Sequence, residues 1–312
     1  MSAAAGIFGA SVVTPTPATA GGADREPPPR SGPAPFHGPV CPSPQRADRP
    51  GPLPHYARAV SDLPIVPVAA TVYGALAGLL LARPAYRLSV APGRPWRAPC
   101  PARHPRPAGR LAPLTGWLGP ARCARCAAAG RRFGARPVLP AAVTAACCAV
   151  LATSVGERPE LAVWLLAAPA VVLLAMVDFA VQRLPDVLTL PLAGVVVAGL
   201  ALAAPSDAAG GVLGRALLAG AVLSGVYFLL FLINPRGMGF GDVKLAMPVG
   251  VALGWYGWGI VFFGTFVGFL LVAGYGLSLV IARRADRKST VPFGPFMALG
   301  ALVGIVLGGL AA

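Results

Sequence analysis

The sequence predicts an all-α integral membrane protein: about eight transmembrane helices, a cytoplasmic arginine-rich loop and a disordered N-terminal tail. Three observations carry this prediction. The 312 residues are 56% hydrophobic and only 12% charged, whereas a soluble domain carries about 25% charged residues. From residue 64 onward, apolar runs long enough to cross a bilayer recur with short breaks. The cationic residues fall in alternate connections, as the positive-inside rule requires of a multi-pass chain.

Residues 1–62 are rich in Pro, Ala and Gly, and no stretch there has helical apolar periodicity. Such a composition buries too little apolar surface to offset ordering entropy, so the tail is expected to be disordered. Met1 to Ala20 contains no Lys or Arg, so it lacks the basic n-region of a secretory signal peptide. Three regions are expected: the tail (1–62), a first helix with a cysteine-containing cytoplasmic loop (63–136), and a polytopic domain (137–312).

The spans are expected at 64–82, 138–155, 160–180, 187–205, 212–233, 243–256, 258–282 and 292–311, the sixth being short and glycine-rich. Segment 83–136, the Gln182–Asp186 turn, the Asn234–Gly241 turn and residues 283–290 share one face. The connections carrying Glu157, Glu160 and Asp207 lie on the other. Excess Lys and Arg mark the first face as cytoplasmic and place both termini outside it.

The net charge is +15, but its placement follows the membrane. Of 24 arginines, twelve lie from Arg83 to Arg136 with no acidic residue among them, and Arg283, Arg284, Arg287 and Lys288 follow a later span. That pattern describes topology, and nucleic acid is not an expected partner.

Asp178, ending the run Val171–Val177, and Asp242, opening the sixth span, are the two acidic residues whose position looks costly. A carboxylate at the edge of hydrocarbon is a functional candidate by default. Two carboxylates close together in a low-dielectric site cannot both ionise, so one serves as base toward water and the other as acid toward a carbonyl. Glycines beside Asp242 would let a substrate backbone approach closely. Asp242 is equally placed to cap its helix.

At these residues the sequence resembles the prepilin peptidases, membrane aspartyl peptidases that trim leader peptides from type IV pilin-like precursors. Gly237-Met-Gly-Phe-Gly-Asp-Val-Lys-Leu245 resembles the family's Gly-x-Gly-Asp signature and the x-Lys-Leu that follows it. Asp178-x6-Pro185-Asp-x-Leu-Thr-Leu-Pro191 resembles the stretch around its first catalytic aspartate, and Val291–Gly300 its Pro-Phe-Gly-Pro motif. The resemblance implies Asp178 and Asp242 as the catalytic pair, with Gly239, Gly241 and Lys244 binding substrate or shaping the site. Asp186 competes for the first position, but it sits in a polar turn beside Pro185, where a helix-start role suffices. Lys244 either tunes Asp242 or anchors its helix at the headgroups.

Gly78–Leu88 and the loop after it resemble the cytoplasmic N-terminal domain of longer members, which carries two Cys-x-x-Cys pairs. Here Cys123-Ala-Arg-Cys126 is intact, while Cys100 is followed three residues later by Arg103. Either Cys100, His104, Cys123 and Cys126 bind zinc as a Cys3His set, or a degenerate site leaves free thiols. Cys147 and Cys148 are expected to be small packing residues; Cys41 carries no readable signal. Members with this domain resemble bifunctional enzymes that also N-methylate the new N-terminus with S-adenosylmethionine, but no independent nucleotide-binding signature is present.

The expected activity is thus cleavage of membrane-anchored pilin or pseudopilin precursors at the cytoplasmic face of the plasma (inner) membrane, with no cofactor required for peptidase chemistry. A proton- or cation-coupled transporter using the same carboxylates, or a non-catalytic scaffold, are the alternatives. No internal repeat of the transporter kind is visible.

Overall fold

In lipid, each spanning segment must satisfy its own backbone hydrogen bonds, so long apolar runs become helices. The computed structural model of the chain describes residues 65–91, 93–104, 116–130, 133–235, 237–283 and 291–312. The tail 1–62, Cys41 and the cations Arg284, Arg287 and Lys288 lie outside the described residues. Among those described, the regular structure is helical: α1 (Ile65–Leu79), α2 (Ala82–Leu88), α3 (Ala124–Ala128), α4 (Val138–Val155), α5 (Glu160–Val181), α6 (Asp186–Ala203), α7 (Leu213–Ile233), α8 (Phe240–Tyr256), α9 (Trp258–Ile281) and α10 (Gly294–Ala311).

Six of these helices, α4 to α7, α9 and α10, are long and apolar enough to cross a membrane; α1 and α2 make a seventh span, bent by 43°. The multi-pass membrane architecture expected from the sequence is present. The sixth expected span, 243–256, corresponds to α8, which at 17 residues is not among the described helices long enough to cross a membrane. It is also the most enclosed helix, with twelve buried residues. Its shortness suits a segment walled by protein rather than by lipid.

Small residues bring the helices together. A Cβ on Gly74 of α1 would stand 2.7 Å from the Thr144 carbonyl of α4, and one on Gly78 would stand 2.5 Å from Ala141 Cα. Gly250 of α8 lies against Ala219 and Gly220 of α7, where a Cβ would meet the Ala219 carbonyl at 2.8 Å. Gly264 of α9 and Gly300 of α10 cross in the same way. Without a hydrophobic force between helices in lipid, close backbone approach of this kind supplies much of the association. Cys148, as expected of a packing residue, is fully buried against Gly74.

The arginine-rich segment is more than a topological marker. Arg83 donates through Nη1 to the Leu118 carbonyl (2.9 Å) and through Nη2 to that of Pro120 (2.8 Å). Arg87 donates to the carbonyls of Arg97 and Gly116, and its guanidinium lies 3.5 Å over the Trp117 ring. Two side chains of α2 thereby fix a loop that has little apolar core of its own.

Candidate active site

Two helix ends meet at the site. Asp178 lies in the last turn of α5, which closes through Gln182 in the left-handed conformation (φ 49°) and turns into α6 at Pro185. Asp242 lies in the first turn of α8, after the extended Gly239. Both aspartates are buried, at 4% and 8% exposure, and their carboxylates are close enough to interact electrostatically.

Each carboxylate is oriented through one oxygen. Asp178 Oδ2 accepts the backbone N–H of Gly294, the first residue of α10, at 3.0 Å. Asp242 Oδ2 accepts the N–H of Gly239 at 3.1 Å, so this residue does reach back to its helix cap, as its position allowed. The glycines set the spacing. A Cβ on Gly294 would stand 3.0 Å from Asp178 Oδ2, and one on Gly239 3.3 Å from Asp242 Oδ2. A Cβ on Gly241 would meet Leu184 Cβ at 2.9 Å. Leu184, from the α5–α6 turn, thus packs against both Gly241 and Gly294, locking the three elements together. Tyr227 of α7 backs the site: it is buried within reach of the charge on Asp242, its ring 5.8 Å from Phe293 and 5.7 Å from Phe269.

Asp186 and Lys244 stand apart from this pocket. Lys244 Nζ pairs with Asp186 Oδ1 at 2.7 Å, with side chains 27% and 57% exposed. Lys244 also lies 5.0 Å over the Phe240 ring. The pair bridges α6 and α8 at the rim.

The family model described as "Type IV leader peptidase family" matches residues 165–277, a stretch containing both aspartates. The chain is 32% identical over 218 residues to the prepilin leader peptidase/N-methyltransferase of Aeromonas salmonicida, covering 68% of this chain and 72% of that protein. The chain belongs to the type IV leader peptidase family.

Other members of this peptidase family are similar over shorter stretches. The Pseudomonas aeruginosa prepilin leader peptidase/N-methyltransferase is 30% identical over 63% of this chain and 66% of its own length. The Escherichia coli protein of the same description is 34% identical over 43% and 58%. No solved structure gives a significant match. Gly294, which holds Asp178, and the cysteine-bearing loop both lie outside the 165–277 family segment.

In that loop the structure brings Cys100, His104, Cys123 and Cys126 together, their ligand atoms all within 4.8 Å of one another. His104 Nδ1 lies 3.6 Å from the sulfur of Cys100 and 3.5 Å from those of Cys123 and Cys126, and the Cys100 and Cys126 sulfurs are 3.4 Å apart. Four ligands at tetrahedral zinc distances stand about 3.5–3.8 Å from one another, so the donor set and its spacing fit. Arg103, immediately before His104, is left-handed at φ 52°.

One acidic residue escaped the sequence reading in this family member. Glu160, expected in the connection before the third span, is 0% exposed and accepts the Gly210 N–H through Oε1 at 3.1 Å. Nearby, Arg158 donates to the Gly309 carbonyl (2.7 Å) and Trp164 to the Tyr256 hydroxyl (3.0 Å). This cluster closes the bundle at the end opposite Asp178. Only its neighbour Arg158 hinted at it, and a lone Arg-x-Glu pair has no specificity.

Proposed function

We propose that the protein is an aspartyl endopeptidase that removes leader peptides from membrane-anchored pilin or pseudopilin precursors at the cytoplasmic face of the inner membrane. One observation carries this reading: two buried aspartates at the ends of separate helices are each held at Oδ2 by a glycine N–H. The arrangement leaves the Oδ1 atoms for chemistry. Two such carboxylates share one proton. The ionised one draws a proton from water as it attacks, while the protonated one polarises the scissile carbonyl and then protonates the leaving amine. The names of the relatives, prepilin leader peptidases, supply the substrate class.

Asp178 is preferred to Asp186 as the partner of Asp242 because Asp186 is exposed and held by Lys244. The cytoplasmic placement rests on the arginines around the same helix ends. The methyltransferase half of the relatives' name rests on the family alone. For the loop we propose that Cys100, His104, Cys123 and Cys126 hold zinc, which when bound would supply a structural cross-link.

The test is cleavage of a prepilin-like precursor in membranes lacking other peptidases of this type. Wild type and Asp186→Asn should cleave it, and Asp178→Asn and Asp242→Asn should not. Equal cleavage by all four proteins, or none by wild type, rejects the assignment.

A further inference from the structure

An apolar groove runs along the bundle between α4, α5 and α10, with α6 and α8 at its base. It encloses about 400 Å³ and has no charged, hydroxyl or amide side chain in its lining. Along α5 its lining extends from Trp164 to Phe179, about 22 Å at 1.5 Å per residue. That length takes most of the hydrocarbon thickness.

Its two ends differ. At one end Gly309 of α10 packs on Ser154 of α4, where a Cβ would stand 3.0 Å from the Ser154 carbonyl, and Arg158 ties the Gly309 carbonyl down. The other end runs out at Phe179 and Pro295, each one residue from the Asp178–Gly294 contact. Laterally it is open: Leu139, Val143, Phe179 and Leu299 line it and are exposed. The walls include Ala167, Ala168 and Ala175 of α5 and Ala298 and Ala301 of α10. Small residues of this kind let another helix approach closely in lipid.

We propose that this groove seats the apolar helix of the precursor, so that the peptide bond emerging from the helix end meets Asp178 and Asp242. The inference rests on the peptidase reading above and adds where the substrate docks. A groove of this volume receives the side chains of one helix face, the other face remaining in lipid. Its continuity with the aspartates argues for a peptide occupant: a helix entering sideways and stopped at the Gly309 end has its free end at the carboxylates. Bulky apolar residues on the docking face would fill the space over the alanines.

The test uses the full-length protein in proteoliposomes with a precursor bearing a basic leader and an apolar helix. Ala175→Trp and Ala298→Trp fill the groove, and Val222→Trp on exposed α7 is the control. The groove variants should raise KM for the precursor by about tenfold or more, a loss of roughly 1.4 kcal/mol, with kcat little changed and Val222→Trp like wild type. In parallel, a photo-crosslinking residue is placed at Leu139, Leu299 or Val222 in the Asp242→Asn background, which needs no filled groove and serves if a tryptophan variant fails to fold. Precursor adducts from Leu139 and Leu299, and none from Val222, are expected. If wild type cleaves but the groove variants do so equally well, or groove positions crosslink only lipid, the docking site is overturned while the peptidase reading stands. If wild type does not cleave at all, the peptidase reading falls and this inference with it.

Discussion

The backbone N–H of Gly294 donates to Asp178 Oδ2 at 3.0 Å, joining two residues 116 positions apart. That bond anchors α10 to the end of α5 and fixes one oxygen of the Asp178 carboxylate. A Cβ at Gly294 would stand 3.0 Å from the same oxygen, so Gly294→Ala must push the carboxylate aside. A misplacement of about 1 Å costs about 10²-fold in rate, so a shift of a few tenths of an ångström at a reacting group should cost about tenfold or less. Precursor cleavage by Gly294→Ala should fall by that order while its melting temperature in detergent stays near wild type. Full activity would show that the contact does not orient the aspartate.

The Lys244–Asp186 pair at the rim is half-exposed, and such pairs stabilise by about 0.2–1 kcal/mol. Lys244→Met and Asp186→Asn should each lower stability by that amount. The double variant should be little worse than either single one, because both remove one interaction. Cleavage should fall no more than about threefold, since neither group touches the buried carboxylates. A collapse of activity in Lys244→Met alone would give Lys244 a direct role.

Purified protein should contain about one zinc per chain by elemental analysis, as expected of a Cys3His set whose donor atoms lie within 4.8 Å of one another. Cys123→Ser combined with Cys126→Ser should abolish it. The loop spanning residues 93–136 should then be cut faster in limited proteolysis, although Arg83 and Arg87 still hold part of its backbone. Unchanged metal content in the double variant would move the ion elsewhere.

At the α1–α4 crossing, Gly78→Leu should separate helices that now touch through backbone. A Cβ alone would be 2.5 Å from Ala141 Cα, and overpacking of this kind costs about 1–3 kcal/mol. A lowered melting temperature is expected, with easier proteolysis on either side of α1. Gly225→Ala, where a Cβ meets open space, should leave stability within about 0.5 kcal/mol of wild type.

The helices were legible from the sequence because a bilayer makes secondary structure a local matter: an apolar run of sufficient length has to bond its own backbone. Boundaries expected at 138–155, 160–180 and 258–282 match α4, α5 and α9 to within a residue. The grouping of Cys100, His104, Cys123 and Cys126 was also legible, since thiols and imidazole at such spacing stand out by residue type. What the sequence left open was which side of each helix faces inward. A helix apolar all round carries no stripe to orient it, so nothing local could reveal that Glu160 is enclosed, that Gly294 rather than a side chain holds Asp178, or that Lys244 pairs with Asp186. Those contacts exist only once glycine and alanine patches on distant helices have selected their partners. That selection is made by backbone approach across the bundle, and it opens the groove beside Asp178 as well.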